Sequence, residues 1–380
     1  MGVLRVVVGG QYGSEAKGAV TGWIAHQLRA TRTPTIAVRV AGPNAGHSVV
    51  DPTGKKWALR QIPVAAVTNK GAKLVIAAGS EIDPPVLNKE IAELDSAGYD
   101  VSRRLLIDGS ATVVTDDHRH EEGNLALIER SGSTGKGIGA ARAARALRQA
   151  GIWEDYYDSF QVTDTARYMQ AQIAQGDNVL IEGTQGYGLG LHTENYPHVT
   201  SSDCRAMDFL AMAGVAPWSP GFEDFQIWVV ARAYPIRIAG NSGPMYEETS
   251  WDALGLPEEL TTVTQKVRRV GQWDQSLLQQ AIWANGGPAP FLRLAYTMAD
   301  QKWPSLAGLH GPIGAPEFEL SVRDKLKLVP EHLVGARVAK IRADLNELFG
   351  FLTVVTEQTG TPVSYIGTGP GSCIWRNEDA

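Results

Sequence analysis

The sequence predicts an α/β protein with a large, mostly parallel central sheet and helices on both faces. Apolar, β-branched runs alternate with helical segments, and each run opens into a small polar loop that contains glycine. Hydrophobic residues make up 43% of the 380 residues and charged residues 20%, as expected of a globular chain. The length allows two domains. Because the same pattern recurs from end to end, we expect a single domain over residues 1–380 with loop insertions.

Five apolar runs predict core strands, at Leu4–Val8, Thr35–Val40, Lys73–Ala78, Asn178–Ile181 and Phe225–Ala231. A continuous apolar run bounded by turn residues is typical of a parallel strand that is buried on both faces. In open α/β sheets, ligands bind outside the carboxyl ends of the strands. The loops that follow these runs are therefore the expected walls of the site.

Segments between the strands predict helices at Lys17–Leu28, Pro84–Ala97, Gly139–Ala150 and Asp164–Gln175. The second helix has proline at its start and glycine past its end, which is the usual asymmetry of helix termini. The segment Gly240–Val270 is rich in polar and turn residues, which predicts a long functional loop.

Charge, cysteine content and hydropathy argue against several classes of protein. The net charge of −6 disfavours nucleic acid or an anionic membrane as the main partner. Cys204 and Cys373 form no Cys-x-x-Cys pattern, and we interpret them as free thiols. No signal peptide is visible, and no apolar run reaches the ~18 residues that span a bilayer. We expect a soluble, cytoplasmic protein.

The first loop, Gly9–Gly18, is rich in glycine and holds Lys17. Backbone N–H groups in such a loop can surround a phosphate, and the lysine adds a positive charge. The spacing is not the Walker pattern, so a tight turn with a surface lysine is an alternative on this loop alone.

The second loop, Gly42–Ser48, contains Asn44 and His47. The asparagine amide offers both donors and an acceptor. The histidine can act as a general acid toward a developing oxyanion, and a purely structural histidine is the alternative.

The third loop, Ser133–Gly139, combines hydroxyl groups with a helix N-terminus, which predicts an anion site. The helix after this loop carries three arginines, which extend the anion site or form a solvated face: Arg142, Arg145 and Arg148.

The fourth region pairs Glu182–Gly186 with Val199–Asp203 downstream.

The fifth loop, Thr261–Gly271, places Lys266, Arg268 and Arg269 within four residues, after a run of threonines. Such a group of cations suits a carboxylate or phosphate ligand. A solvated charged surface is the alternative.

Together the loops resemble those of the adenylosuccinate synthetases over most of the chain. That family typically carries GxQWGDEGKGK, GGxNAGHT, GTTGRGIGP, EGAQG, YPYVTSS, TTGRRRR and STGP. This chain carries, in the same order, GGQYGSEAKGA, AGPNAGHSV, GSTGKGIGA, EGTQG, YPHVTSS, TVTQKVRRVG and GTGPG. Each match is weak alone, but seven in register are specific. The resemblance implies a P-loop-NTPase-like fold and a ligase that joins L-aspartate to a purine nucleotide with nucleoside-triphosphate cleavage.

The resemblance also implies ligands for individual residues. The triphosphate would contact Gly13, Glu15, Ala16, Lys17, Gly18, Ala19, Gly46, His47, Ser48, Arg268, Gly367, Thr368, Gly369 and Pro370. The purine monophosphate would contact Ser14, Asn44, Ala45, Ser133, Thr134, Arg148, Gln185, Thr200 and Lys266. L-Aspartate would contact Thr262, Val263, Thr264, Lys266 and Arg268.

Catalytic roles follow from the same resemblance for four residues: Ser14, Lys17, His47 and Gln185. Lys17 would stabilise charge on the transferred phosphoryl group, and His47 would assist its transfer to O6 of the purine. Mg²⁺ would be bound by Ser14 and by the backbone carbonyl of Gly46. Arg148 matches an arginine that reaches the monophosphate of a neighbouring subunit, which implies a homodimer.

Ser14 departs from the family pattern, which has aspartate at this position. In the family that aspartate takes the N1 proton of IMP and helps to bind Mg²⁺. A serine hydroxyl is a poor base and a weak Mg²⁺ ligand. In an ordinary enzyme of the family, the loss would cost catalysis on the order of 10²–10⁴-fold.

The guanine-binding run of the family, TKLD, is the second departure. We match it to Phe291–Met298, which carries no carboxylate. Without an acceptor for the N1 and N2 hydrogens of guanine, a pocket cannot favour that base strongly. We therefore expect ATP or dATP as the phosphoryl donor.

Both departures resemble the 2-aminoadenylosuccinate synthases of phages whose DNA carries 2-aminoadenine. This resemblance implies dGMP, L-aspartate and ATP or dATP as substrates, a 6-phosphoryl intermediate, N6-succino-2-amino-2′-deoxyadenylate as product, and the host cytoplasm as location. Serine frees volume beside N1, and its oxygen can accept a hydrogen bond from the 2-amino group. The alternatives are an ordinary synthetase that uses IMP and GTP, an inactive nucleotide-binding protein, and an unrelated phosphate-binding kinase.

Overall fold

The structure is a computed structural model that describes residues 1–157, 162–261, 265–313 and 316–376. The strands are β1 Gly2–Gly9, β2 Thr35–Arg39, β3 His47–Val50, β4 Lys56–Leu59, β5 Lys73–Ile76, β6 Glu81–Ile82, β7 Leu105–Asp108, β8 Thr112–Val113, β9 Val162–Thr163, β10 Asn178–Glu182, β11 Phe222–Arg232, β12 Ile236–Arg237, β13 Glu248–Thr249, β14 Arg269–Gly271, β15 Leu292–Thr297, β16 Gly311–Pro312, β17 Val363–Gly369 and β18 Ser372–Trp375.

The α-helices are α1 Lys17–Ala30, α2 Ala65–Thr68, α3 Pro84–Ser96, α4 Val101–Arg104, α5 Asp116–Asn124, α6 Leu127–Ser131, α7 Ile138–Ala146, α8 Trp153–Tyr156, α9 Thr165–Ile173, α10 Ala206–Ala213, α11 Gln275–Ala284, α12 Ala299–Lys302, α13 Pro316–Leu326 and α14 Val334–Thr359. Short 3₁₀ turns lie at Tyr187–Leu189, Pro304–Leu306 and Glu331–Leu333.

Within the described residues, eleven strands form one sheet in the order β16-β18-β17-β15-β11-β1-β10-β2-β5-β7-β9. Neighbouring strands are parallel except β17 and β18, which are antiparallel. The predicted mostly parallel sheet is confirmed. Strand β1 lies at its centre, so the glycine-rich loop that follows β1 opens at the middle of the carboxyl edge.

Alternate side chains of β1 enter two hydrophobic cores on opposite faces of the sheet, as the strand repeat requires. Leu4, Val6 and Val8 pack with residues of α9, α10, α11 and α14. Val7 packs with residues of α1 and α3 on the other side. Helices therefore cover both faces, as predicted, and the sheet is buried between them.

The helix predicted at Gly139–Ala150 is shorter than expected. Helix α7 ends at Ala146, because Arg148 adopts the left-handed conformation with φ 62°, which does not continue a right-handed helix. The other three predicted helices lie within a few residues of α1, α3 and α9.

The segment Gly240–Val270 is not one long loop, which corrects the prediction. It contributes β13 and the start of β14 to a small antiparallel sheet ordered β12-β14-β13. Trp251 packs there against Ile236 and Val270, and its indole N–H donates to the carbonyl of Arg268 at 2.7 Å. Turn-rich composition concealed these strands because each is only two or three residues long.

The hairpin of β3 and β4 is held by the buried carboxylate of Asp51. Asp51 accepts hydrogen bonds from the Trp57 indole at 2.9 Å, from the Tyr99 hydroxyl and from Thr53. Burial raises the pKa of Asp51, but these hydrogen bonds outweigh burial and hold its pKa below the ordinary value. The network stabilises the hairpin whose first residue is His47.

Cys204 and Cys373 are both free and buried, so the prediction of free thiols is confirmed. Burial raises the pKa of each thiol to about 12. In the described part of the chain, the helices are too short or too polar to cross a membrane.

Candidate active site

The loop between β1 and α1 is organised from within by Glu15. Its fully buried carboxylate accepts the backbone N–H groups of Gln11 at 3.1 Å and Gly13 at 2.7 Å. Lys17 is buried too, with its Nζ 2.5 Å from Glu15 Oε2. The alternative of a surface lysine is therefore wrong. In this structure Glu15 accepts two of the backbone N–H groups that were expected to surround a phosphate.

Gly18 allows the second loop to approach the first. A Cβ atom at Gly18 would lie 2.6 Å from the carbonyl oxygen of Ser48 and 3.0 Å from Cβ of His47, closer than ordinary packing allows. Glycine is therefore required where α1 and β3 meet, and it brings Lys17, His47 and Ser48 to one place, as predicted.

A buried triad of Arg39, Glu182 and His47 joins the ends of β2 and β10 to the start of β3. Nδ1 of His47 lies 2.5 Å from Glu182 Oε1 and 2.6 Å from Arg39 Nη1, and Arg39 also donates to Glu182. The other Glu182 oxygen accepts from the Val64 N–H at 2.9 Å. Arg39 Nη2 donates to the carbonyl of Ala45 at 2.8 Å. The triad therefore fixes the ring of His47 and the loop before it.

The surroundings of His47 keep its imidazole neutral. Burial and the Arg39 guanidinium lower its pKa to about 4, although Glu182 opposes them. Two arrangements satisfy the contacts: Nδ1 accepts from Arg39 and Nε2 carries the proton, or Nδ1 donates to Glu182 and Nε2 is bare. Only the first arrangement leaves an N–H donor at Nε2.

The fourth loop lies on the first, as the predicted grouping requires. A Cβ atom at Gly13 would lie 3.6 Å from Gln185 Oε1, and one at Gly186 would lie 2.4 Å from Glu15 Oε1. Gln185 adopts φ 58°, a region that costs energy for a residue with a side chain. The structure therefore brings the half-buried Gln185 against the loop that carries Ser14.

Ser14 lies exposed at the tip of the first loop, with φ 57°. Its hydroxyl accepts a hydrogen bond from Nη1 of Arg268, and its carbonyl lies 3.4 Å from Nη1 of Arg232. The position that departs from the family pattern therefore contacts the fifth loop directly.

The cations of the fifth loop do not act as one group. Arg269 is paired with Glu248, and Lys266 is exposed, with its backbone hydrogen-bonded to Thr261. Arg268 contacts the first loop, through the hydrogen bond from its Nη1 to the Ser14 hydroxyl. Three residues predicted to bind aspartate lie outside the described residues: Thr262, Val263 and Thr264.

At the start of α7, two of the backbone N–H groups predicted to be free for an anion are hydrogen-bonded within the protein. Glu122, only 2% exposed, accepts the N–H of Gly137 at 2.8 Å and of Gly139 at 2.7 Å. A protein carboxylate therefore occupies the position expected for a ligand anion. Arg142 likewise pairs with Glu81 through two hydrogen bonds.

Five other residues predicted to bind the monophosphate are partly accessible. Ser133 and Thr134 are half-buried, as are Asn44, Ala45 and Thr200. A Cβ atom at Gly42 would lie 3.0 Å from both Asn44 Oδ1 and Ile138 Cδ1, so the second and third loops meet. Arg148 is exposed and donates to the carbonyl of Ala146, which places it on the surface of this chain.

The last loop, at the turn from β17 to β18, has a buried and an exposed part. The Thr368 hydroxyl is fully buried and donates to the carbonyl of Leu309 at 2.5 Å. Gly367 is buried, Gly369 half-buried and Pro370 exposed. The surface that can meet a ligand therefore lies at Gly369 and Pro370.

Asp300 lies two residues beyond Phe291–Met298, the run that we match to TKLD. Thr297-Met298-Ala299-Asp300 shares threonine and aspartate with TKLD at the first and last positions. Asp300 follows β15 at the carboxyl edge of the sheet, and its Oδ2 would lie 3.8 Å from a Cβ atom at Gly369. Its Oδ1 is buried and accepts no hydrogen bond from the described residues.

The residues predicted to bind Mg²⁺ do not form a metal site by themselves. No cluster of three or more His, Cys, Asp or Glu side chains suited to a metal occurs in the described ranges. Ser14 and the carbonyl of Gly46 are neutral donors, and the Ser14 hydroxyl already bonds to Arg268. Protein Mg²⁺ sites usually supply one or two carboxylates beside phosphate oxygens. The donor set therefore does not fit a metal held by the protein alone.

Several charged residues of the site were missed by sequence reasoning, notably Arg39, Glu122, Glu259 and Asp300. Arg39 ends an apolar strand, and it is only 1% exposed. A charge at the carboxyl end of a buried strand was the available signal, because such a charge needs a partner. Glu122 and Glu259 carry no such signal, since they are ordinary acids in polar segments.

The sheet and the loops at its carboxyl edge define a nucleotide-binding α/β enzyme. The family model for adenylosuccinate synthetase matches residues 6–160 and 152–300. The adenylosuccinate synthetase of Methanococcus vannielii is 33% identical over 370 residues, 96% of both chains. That of Pyrococcus horikoshii is 34% identical over 371 residues, 96% of this chain and 95% of the relative. The chain belongs to the adenylosuccinate synthetase family and is a carbon–nitrogen ligase, as the motifs predicted.

Two solved structures share the fold. The succinoaminodeoxyadenylate synthetase (PurZ) of cyanophage S-2L, bound to dGMP and dATP, has a TM-score of 0.71 and 26% identity, and the match covers 97% of this chain and 93% of that one. The fully ligated adenylosuccinate synthetase of Plasmodium falciparum has a TM-score of 0.73 and 19% identity, covering 98% and 99%. The second likeness concerns the fold alone.

Proposed function

We propose that this ligase joins L-aspartate to C6 of dGMP and forms N6-succino-2-amino-2′-deoxyadenylate with cleavage of a nucleoside triphosphate. The observation that carries the proposal is Ser14. Its hydroxyl accepts one hydrogen bond from Arg268, and a hydroxyl oxygen has two lone pairs. The second lone pair can accept from the 2-amino group that dGMP has and IMP lacks. The dGMP bound to the cyanophage structure supports the same substrate.

The reaction would proceed in two steps. O6 of dGMP attacks the γ-phosphorus, the nucleoside diphosphate leaves, and the N1 proton passes to water with Ser14 as the relay. The α-amino group of aspartate then attacks C6, phosphate leaves, and the amine loses a proton to solvent. Lys17 would stabilise the transferred phosphoryl group, and His47 would donate a hydrogen bond from Nε2 to the developing charge. Gln185 would position the base beside Ser14.

Mg²⁺ would enter as the complex of the triphosphate, because Ser14 and Gly46 supply only neutral oxygens. Phosphate oxygens would then be its main ligands. We also propose a homodimer in which Arg148 reaches the monophosphate bound to the other subunit. The exposed guanidinium of Arg148 is consistent with such a role, and Arg148→Ala should raise KM for the purine nucleotide.

The base of the phosphoryl donor has two candidates. The dATP of the cyanophage structure favours ATP or dATP. The carboxylate of Asp300, with its unbonded Oδ1, favours GTP, because an ionised carboxylate can accept from both N1–H and N2–H of guanine. If Asp300 binds guanine, Asp300→Ala will raise KM for GTP by about tenfold or more and leave KM for ATP within about twofold.

The proposal is tested by measuring phosphate release in the presence of L-aspartate. Each purine nucleotide, dGMP or IMP, is combined in turn with ATP, dATP and GTP. Turnover with dGMP in preference to IMP is expected. Ser14→Ala removes the acceptor for the 2-amino group and should reduce use of dGMP relative to IMP, and Ser96→Ala, on the exposed end of α3, is the matched control. Preferential turnover of IMP by the unmodified enzyme would refute dGMP as the substrate. Failure of every combination would favour an inactive nucleotide-binding protein.

A further inference from the structure

Glu259 connects the fifth loop to the carboxyl edge of the central sheet. Its carboxylate accepts from both terminal nitrogens of Arg232, at the end of β11, and from Gln301 Nε2 of α12 at 2.8 Å. Arg232 also donates to Gln301 Oε1 at 3.2 Å. These three side chains form a closed ring. Arg232 is fully buried, so the ring is anchored in the sheet.

The backbone beside Glu259 holds Arg268. We define the stem of the fifth loop as residues 259–261 and 265–268. The Arg268 N–H donates to the carbonyl of Glu259 at 2.8 Å, and Arg268 Nε donates to the carbonyl of Leu260 at 3.2 Å. Leu260 and Val267 form an antiparallel bridge. The position of the Arg268 guanidinium therefore follows from the position of Glu259.

The same guanidinium donates through Nη1 to Ser14. A continuous series of contacts thus runs from Arg232 and Gln301, through Glu259 and the stem, to Arg268 and the first loop. The series contains two arginines, Arg232 and Arg268, and Glu259 is the carboxylate between them. Burial raises the pKa of Glu259, but Arg232 and Gln301 outweigh burial and lower its pKa, so the carboxylate is charged at neutral pH.

We propose that Glu259 is a positioning residue that holds Arg268 in place to receive the carboxylate of L-aspartate beside Ser14. The proposal rests on the proposed function, because it takes aspartate as the ligand of Arg268. Glu259 does not touch the substrate. It holds the stem, so that the long Arg268 side chain loses little conformational freedom on binding, which raises affinity.

A purely structural role for Glu259 makes a different prediction. Arg232 is buried and requires a charged partner, and breaking a buried ion pair destabilises a protein as a whole. If neutralising Arg232 were the only role of Glu259, its loss would lower thermal stability and affect all substrates alike. Positioning of Arg268 predicts instead that KM for aspartate rises more than KM for either nucleotide.

The test compares Glu259→Gln with Glu258→Gln in the full-length enzyme. Glu258 is the neighbouring acid and is exposed, so it is a matched control. We expect Glu259→Gln to raise KM for L-aspartate about tenfold, since a charge-assisted contact becomes a neutral one. KM for the purine nucleotide and kcat should stay within about twofold, and KM for the triphosphate, which Arg268 is also predicted to contact, should rise by a smaller factor than KM for aspartate. Gln301→Leu, which removes one tether and no charge, should raise KM for aspartate by a smaller factor.

An equal KM for aspartate in Glu259→Gln and Glu258→Gln would overturn the proposal. So would an equal rise in all three KM values, which would indicate a structural role. If Glu259→Gln fails to fold, the Gln301→Leu enzyme decides by the same comparison of KM values. If the unmodified enzyme shows no aspartate-dependent turnover with any purine, the proposed function fails and this proposal fails with it. A failure confined to the variants leaves the proposed function intact.

Discussion

Replacing Arg39 by methionine should impair both stability and catalysis, and the two effects can be separated. Arg39 is 1% exposed, and it donates to Glu182, His47, Ala45 and the carbonyl of Arg60. Its removal leaves the Glu182 carboxylate buried without its arginine. Breaking a buried ion pair in this way costs about 3–5 kcal/mol.

The free energy translates into a modest change in melting temperature. At about 2.1 cal/mol/K per residue, unfolding 380 residues has an entropy of about 0.8 kcal/mol/K, so Arg39→Met should lower the midpoint by about 4–6 °C. Differential scanning calorimetry measures this shift. The turnover number should fall by about 10²–10⁴-fold, because His47 Nδ1 then donates to Glu182 and Nε2 has no N–H to offer.

The double variant Arg39→Met/Glu182→Gln separates the two effects. Glutamine removes the unpaired charge and keeps an oxygen for the Val64 N–H, so most of the lost stability should return. Activity should stay low, since the carbonyls of Ala45 and Arg60 still lack the Arg39 guanidinium, so the loop before His47 is no longer held. If Arg39→Met melts within about 1 °C of the unmodified enzyme, or if the double variant regains normal turnover, our reasoning about the triad is wrong.

Two further predictions concern the scaffold of the site. Asp51→Asn should destabilise the enzyme by about 1.5–3 kcal/mol near pH 7. The folded pKa of Asp51 is lowered, so the carboxylate stabilises the fold fully above its unfolded pKa of about 3.9, and this stabilisation is lost as pH falls below that value. Urea unfolding of both proteins at pH 7 and at progressively lower pH measures the difference in their free energies of unfolding. A difference that does not change with pH would contradict this prediction. Glu122→Gln should leave one of two backbone N–H groups unpaired, which costs about 1–3 kcal/mol of stability, and should raise KM for the purine nucleotide. Glu121 is exposed on the same helix, so Glu121→Gln is the control. Equal KM values for the two variants would contradict a role for Glu122.

The fold followed from local patterns because parallel strands buried on both faces carry continuous apolar runs. The central strands, the first helices and the loops at their carboxyl ends were all predicted from such runs. Errors arose where a tertiary contact replaced a local one. The helix N-terminus at Gly137 bonds to Glu122, which lies 15 residues earlier in the chain, and no local pattern indicates that pairing.

The sequence by itself determined the family of this protein, the order of its site loops and the unusual serine at position 14. These features are local, because each loop is a continuous segment with its own residue pattern. Only the tertiary structure decided which charges neutralise each other: Lys17 with Glu15, Arg39 with Glu182, and Arg232 with Glu259. The last two pairs join residues 143 and 27 positions apart. Their partners are set by strand order and loop packing, which bring distant side chains into a common low-dielectric interior where every charge needs a counter-charge.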